Sequence, residues 1–537
     1  MSTPAAARGT ARRDATWEAL ERPWDLLIVG GGITGAAILR EGARHGLRSL
    51  LLEQSDFAWG ASSRSSKLVH GGLRYLKERK IGITRAAVRE RNLLLREGPG
   101  LVDPLGFLLA TFGGEHPGRL LYRLGLSLYD LLSLQWRHTF HDADDFRLLA
   151  PYIRTDGLRG GFHYLDARTD DARLVLRVLK EAIWTGATAL NYAQVVDLWQ
   201  SNGTVVGVRV RDTVTGRTTR VPARAVVNAT GAWADRLRSK VGGSPIIRPL
   251  RGSHLILPAW RLPVPQAVTV LHPRDHRPVF FFPWEGVTLV GTTDLDQRAS
   301  LDDEPTITPD ETTYLLEGVR ASFPTLDIRR SDVTAVFSGV RPVVASGKTK
   351  PSQETRDSII LDECGLLTVT GGKLTTFRLI AQDTVVALRD RLPELGPVDR
   401  HGRALEPPDE VTCRDLDDSQ SRRLAAWYSP DVAGLIRAAR PGELSPIPGT
   451  AQLWAELRWA ARTEAVVHLE DLLLRRVRLG LLLPDGGAEL LPRIRTIVQA
   501  EMGWSDARWE SEAAEYLECR QRAYALPRSS QSAARVS

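Results

Sequence analysis

Asp25–Leu39 reads DLLIVGGGITGAAIL, and this stretch decides the fold. Leu26 to Val29 form a short apolar strand. Glycines follow at positions 30, 32 and 35, in the spacing G-x-G-x-x-G, and small residues then open a helix. The first glycine turns the chain, the second lets backbone approach a pyrophosphate, and the third lets helix and strand pack closely. The helix N-terminus offers free N–H groups and a partial positive charge to phosphate. A second strand, LRSLLLE, ends in Glu53. That is about the 20-residue spacing at which a carboxylate accepts hydrogen bonds from a ribose hydroxyl. Strand, glycine turn and acid together indicate a dinucleotide site rather than a bare βαβ unit.

The next stretch, SSRSSKLVHGGLRYL (Ser62–Leu76), gathers hydroxyls, glycines and cations and has no acid. Small side chains let backbone come close to a ligand, and a run without acids suits anionic ligands. Further on, residues 85–97 read as a helix and 99–117 as a Gly- and Pro-rich loop. Arg119–Arg137 has a helical apolar pattern flanked by arginines. DDARLVLRVLKEAIWTGA opens a helix capped by Asp170 or Asp171. A hairpin is expected around Asn202-Gly203, and another at PVFFFPW-EG-VTLVGTTD within a β-rich region from Arg248 to Asp294. AVVNATGAWADRL is a buried strand, the turn Thr230-Gly231 and a helix. Two short strands then precede the turn Gly371-Gly372-Lys373. From about residue 400 the chain is helical, with TEAVVHLEDLLLRRVRLGLL as its clearest amphipathic stretch.

A chain of 537 residues exceeds one compact core and implies two or three domains. Its three cysteines form no C-x-x-C pair, so neither a disulfide framework nor a thiolate metal site is expected. No apolar run approaches the roughly 20 residues of a spanning helix. The net charge of +7 fits nucleic acid, an anionic membrane surface, an anionic substrate or mere compositional bias. No DNA-binding motif accompanies it, so nucleic acid is not expected as a partner. Residues 1–22 and 526–537 read as disordered tails; Asp14, Glu18 and Glu21 argue against a transit peptide.

Taken in order, G-G-G-I-x-G with Glu53, SSKLVHGGLRYL, DDARLV, NATGAWAD, GSH, GTTD, SGVRP, TRD and GGKLTT resemble the FAD-dependent glycerol-3-phosphate dehydrogenases, membrane-associated respiratory enzymes. The resemblance runs from about residue 24 to about 520 and rests most on SSKLVHGGLRYL and GGKLTTFR. It implies an α/β fold. A discontinuous FAD-binding Rossmann-like domain (23–98, 165–240 and 354–398) carries an inserted antiparallel β-sheet substrate domain (99–164 and 241–353), glycine/D-amino-acid oxidase-like. A C-terminal all-helical domain (399–525) follows. The implied reaction is oxidation of sn-glycerol 3-phosphate to dihydroxyacetone phosphate by hydride transfer from C2 to flavin N5, with electrons passed to a membrane quinone.

The resemblance also implies roles for residues. Arg74, Tyr75, Arg341 and Arg356 hold the phosphate, whose oxygens suit the arginine fork. His254 is the proton acceptor, with His70 as competitor and Arg341 able to polarise the hydroxyl instead. Lys373 lies between cofactor and substrate. The FAD contacts are Gly30, Gly32, Ile33, Thr34, Gly35, Glu53, Ser62, Ser63, Ser66, Lys67, His70, Gly71, Gly72, Ala229, Thr230, Gly231, Gly372, Lys373, Leu374 and Thr375. No metal is expected. The location implied is cytoplasmic, peripheral to the inner face of the cell membrane, with a homodimer left open. Arg119–Arg137 is a candidate membrane contact, although packing on its own domain is the favoured reading of that helix. The alternatives are an oxygen-using glycerol-3-phosphate oxidase, another FAD-dependent amine or hydroxy-acid oxidase, and, less well supported, a non-enzymatic nucleotide-binding regulator. The oxidases typically carry an extra C-terminal insertion that this chain lacks.

Overall fold

A computed structural model describes residues 9–72, 81–114, 119–133, 138–348, 354 and 357–527. The strand Trp24–Val29 lies between two parallel neighbours, Thr218–Asn228 on one side and Ser49–Leu52 on the other. Leu366–Gly371 and Thr188–Leu190 extend the sheet in parallel, and Ser358–Glu363 closes one edge antiparallel. Residues 26–28 and 50–52 are fully buried. A parallel sheet covered on both faces requires such continuous apolar runs. The helix Ile33–Arg44 follows the glycine turn and packs against helices Asp171–Trp184 and Phe377–Ala387. The Asn202-Gly203 hairpin is present. Its two central residues have φ of 51° and 75°, and Ser201 faces Thr204. Two positive φ values are what a two-residue hairpin turn demands.

A second, ten-stranded sheet is built around Ile247–Pro258. Its pairings are antiparallel except for Ala267–Leu271, which runs parallel to Val102–Phe112. The expected Phe-rich hairpin, Pro278–Trp284 with Val287–Gly291, turns at Glu285-Gly286. Residues 99–117 were expected to be loop. Val102–Phe112 is instead a strand paired with Leu158–Thr169. Pro104 and Gly106 punctuate the sequence there, but the glycine is needed for space. A Cβ at 106 would lie 1.9 Å from Gln266 Oε1.

Residues 9–22, expected as part of a disordered tail, are instead folded onto the protein. Gly9–Glu18 is a helix, Trp17 and Leu20 are buried, and Arg13 donates to Asp212 at 2.8 Å. The Ala- and Arg-rich composition carried no sign of these partners, which lie some 200 residues away. Residues 528–537 lie outside the described residues.

Arg119–Ser133 is a two-faced helix. Leu126 and Tyr129 are buried, whereas Leu120, Leu121, Leu124 and Leu131 are 60–71% exposed. No helix among the described residues is long and apolar enough to cross a membrane.

The C-terminal domain is helical, from Asp418–Tyr428 to Asp506–Cys519. Its supposed amphipathic helix, TEAVVHLEDLLLRRVRLGLL, is broken into a π-helical turn, Asp471–Arg476, and a single turn, Leu479–Leu482. Ala465 and Arg478 carry positive φ at the breaks. The arginines that periodicity assigns to solvent are buried. Arg475 and Arg476 both reach Asp56, at 2.6 and 2.7 Å, and Arg173 reaches Glu464 at 2.7 Å. Buried guanidinium–carboxylate pairs therefore join this domain to the nucleotide domain.

Candidate active site

The dinucleotide cradle forms at the carboxyl ends of the parallel strands. Gly30 has φ of 115°, and a Cβ there would sit 2.5 Å from the Ala229 carbonyl oxygen. At Gly35 it would sit 1.9 Å from the Gly30 oxygen. The third glycine is thus required by packing as much as by ligand. Ser62 accepts from the Ile33 N–H at 3.0 Å, which brings the Ser62–Ser66 segment against the helix start. Glu53 accepts from Gly31 N–H at 2.6 Å and Ser55 N–H at 2.9 Å. Burial raises its pKa above the ordinary carboxylate value, against the pull of those N–H donors. Thr230 is fixed through Asn228, 2.7 Å from its hydroxyl, and the Gly231 carbonyl accepts from Thr370 at 3.3 Å. Gly371 and Gly372 have φ of 77° and 79°. The turn they make carries Lys373, Leu374 and Thr375, and Thr375 donates to the His70 carbonyl at 3.3 Å. Gly71 N–H meets Tyr129 Oη at 3.0 Å, and Gly72 has φ of 80°. Segments far apart in the chain therefore converge, and close backbone approach at glycines leaves a cradle suited to FAD.

Replacing Gly35 with alanine is expected to yield protein without bound flavin. The helix must shift from Gly30 by more than an ångström to admit the methyl group. The ratio of flavin to protein absorbance in purified material checks this, and a normal ratio would show that the helix can yield.

The second cluster stands on one face of the ten-stranded sheet. Strand register sets His254 opposite Phe337, Gly252 opposite Gly339 and Leu250 opposite Arg341. His254 is 1% exposed and stacks on Phe337 with ring centroids 4.6 Å apart. One ring nitrogen, Nε2, lies 2.9 Å from Ser66 Oγ; Nδ1 is buried and has no hydrogen-bond partner among the described residues. Burial pulls the imidazole pKa well below its ordinary value, and Arg341 and Lys67 push the same way. Gly252 clears space for Arg341, whose guanidinium would lie 2.2 Å from a Cβ at 252. Arg341 donates to Asp294 at 3.2 Å and Thr292 at 3.0 Å. Asp294 is 2% exposed and Arg341 23%, so a buried acid aims a partly open cation.

Sequence reasoning assigned Ser66 and Lys67 to the cofactor. The Ser66 hydroxyl meets His254, and the Lys67 ammonium is held by Asp171 at 2.9 Å and the Ser63 carbonyl at 3.1 Å. The sequence reading gave no role to Asp294 or Thr292. GTTD belongs to the ordered motifs, and nothing local says that its acid faces Arg341. Arg74, Tyr75 and Arg356 lie outside the described residues.

A nucleotide cradle beside a histidine and an arginine fits a flavin-dependent oxidoreductase. In agreement, residues 25–384 match the family model described as FAD dependent oxidoreductase, and residues 380–509 match the C-terminal domain of alpha-glycerophosphate oxidase. The aerobic glycerol-3-phosphate dehydrogenase of Bacillus subtilis is 38% identical over 385 residues, 71% of this chain and 69% of that protein. That of Staphylococcus epidermidis is 32% identical over 499 residues, 87% of this chain and 89% of the other. Among solved structures, the glycerol-3-phosphate dehydrogenase of Bacillus halodurans complexed with FAD superimposes with a TM-score of 0.77 at 27% identity, covering 95% of this chain and 98% of that one. The chain belongs to the aerobic glycerol-3-phosphate dehydrogenase family, and FAD is its cofactor.

Proposed function

We propose that this protein oxidises sn-glycerol 3-phosphate at C2 to dihydroxyacetone phosphate, with His254 as proton acceptor and Arg341 as phosphate anchor, and that a membrane quinone takes the electrons onward. The observation that carries the reading is the meeting of His254 and Arg341 on one sheet face, with His254 bonded to the Ser66 of the cofactor-side loop. Bound in the cradle, FAD supplies an acceptor for the hydride leaving C2. The chain's own residues do the rest. Arg341, aimed by Asp294, pairs with the phosphate and fixes C2 in place. Ser66 holds the His254 ring through Nε2, and the imidazole takes the hydroxyl proton. Lys373 sets positive charge at the turn between the two ligands. Arg74, Tyr75 and Arg356 complete the phosphate site in this reading. The exposed leucines of the Arg119–Ser133 helix, with Arg119 and Arg123 exposed beside them, support peripheral contact with a membrane.

The test is a visible spectrum of the oxygen-free protein before and after adding sn-glycerol 3-phosphate, followed by a quinone analogue in lipid vesicles. Bleaching, then recovery with the quinone, is the expected result. No bleaching in folded, flavin-loaded protein would sink the substrate. Fast recovery with air and peroxide, but none with quinone, would make the protein an oxidase.

The pH profile tests the base. Neutral imidazole is the competent form, and protonation abolishes it. Because burial and two cations depress the pKa of His254 below its ordinary 6.5, kcat, which excludes the free substrate phosphate's own ionisation, is expected to stay level as pH falls through 6.5 and to drop only below it. An acid limb above 6.5 would assign the base elsewhere.

A further inference from the structure

The loop that faces His254 is held by a buried cluster of two acids, a lysine and an arginine. Asp170 caps the helix Asp171–Trp184, accepting from Arg173 N–H at 2.8 Å. That leaves the next acid, Asp171, to turn its carboxylate to the loop. One oxygen accepts from both the N–H and the hydroxyl of Ser65, at 2.9 and 2.7 Å. The other accepts from Lys67 Nζ at 2.9 Å and from Arg478. Lys67 and Asp171 are fully buried, and Arg478 is 1% exposed. Lys67 also carries a positive φ, 55°, and its N–H donates back to the Ser65 hydroxyl at 3.0 Å. Residues on both sides of Ser66 are therefore fixed, and Ser66 is the residue whose hydroxyl meets His254.

Arg478 comes from the C-terminal domain. It pairs with Asp170 through two nitrogens, at 2.8 and 3.0 Å, and itself adopts a left-handed backbone, φ 61°. The Lys67 ammonium lies 4.7 Å from the Phe337 ring centroid, on which His254 also stacks. Burying two cations and two acids is a poor route to stability, because desolvation offsets the attraction. It is an effective way to fix one geometry, since each unpaired alternative leaves a buried charge without a partner.

We infer that Asp171, braced by Arg478 of the C-terminal domain, is a positioning residue that sets Ser66 against His254 for proton removal. This rests on the reading of His254 as the base. The C-terminal domain thereby shapes the reacting site without supplying a group that touches it.

Oxygen-free rapid mixing of the FAD-loaded protein with sn-glycerol 3-phosphate tests the inference by the rate of flavin bleaching. Asp171→Asn is expected to slow bleaching about tenfold or more, the scale on which outer partners of a functional group act, with the half-saturating substrate concentration little changed. Ser66→Ala is expected to slow it similarly. The decisive readout is the double variant. If Asp171 acts through Ser66, Asp171→Asn adds little in the Ser66→Ala background. Arg478→Lys is expected to retain more of the rate than Arg478→Met. Should Asp171→Asn fail to fold, Ser65→Ala removes one grip of Asp171 without stranding a buried charge. It should slow bleaching more weakly, and again only while Ser66 is intact. Independent, multiplicative losses in the double variants, or wild-type rates in Asp171→Asn, Ser65→Ala or Ser66→Ala, would overturn the inference. His254→Asn bleaching at the wild-type rate would instead overturn the base on which it rests. A single variant, separate from the cycle, reads that failure.

Discussion

Arg341→Ala is expected to lower kcat/KM for sn-glycerol 3-phosphate by about 10²–10³-fold, while FAD stays bound. The size follows from removing one partner of a largely desolvated, charge-assisted pair, which costs about 3–4 kcal/mol, at about 1.4 kcal/mol per tenfold. Phosphate oxygens match the planar fork of a guanidinium, and Arg341 is held ready by Asp294 and Thr292 in the space that Gly252 leaves. Both KM and kcat should suffer, because the phosphate anchors the substrate and also fixes C2. Arg341→Lys keeps the charge but loses the fork, so an intermediate value is expected. Steady-state assays with a dye acceptor, and the flavin spectrum as a check on cofactor content, measure this. Kinetics within threefold of wild type would remove Arg341 from the substrate site.

His254→Ala is expected to reduce kcat by about 10²–10⁴-fold, the usual contribution of a general base. KM should change little, since the imidazole does not hold the phosphate. Alanine also removes a buried ring stacked on Phe337. His254→Asn, closer in volume, therefore separates lost chemistry from lost packing. Flavin reduction in a single turnover is the measurement, because it excludes reoxidation from the rate. A loss of less than tenfold in both variants would move proton removal to another group. His70, the competitor in the sequence, holds Thr375 through its backbone carbonyl.

The cradle was legible because its constraints are local. Gly30, Gly32 and Gly35 act within one turn, and Glu53 ends the adjacent strand of the same βαβ unit. The hairpins at Asn202-Gly203 and Glu285-Gly286 were legible for the same reason, since a two-residue turn states its own φ requirements. The misreadings share an opposite cause. Val102–Phe112 is a strand because Leu158–Thr169 pairs with it, and its glycine is there to admit Gln266. The helix Gly9–Glu18 is anchored by Arg13 on Asp212. The stretch from Thr463 to Leu482 looks amphipathic because arginine normally marks solvent. Here each buried arginine finds an acid in another segment, as Arg476 finds Asp56.

The sequence by itself determined the nucleotide cradle, the strands and helix that build it, and the family, since these follow from glycine spacing, apolar runs and ordered motifs. The tertiary structure decided which groups face one another. It set Ser66 rather than solvent against His254, turned Lys67 and Arg478 onto Asp171, and aimed Arg341 with Asp294. Periodicity reports the apolar side of an element. Which charge lies opposite depends on packing between segments hundreds of residues apart, and burial makes that pairing obligatory because an unpaired charge cannot stay in a low-dielectric interior.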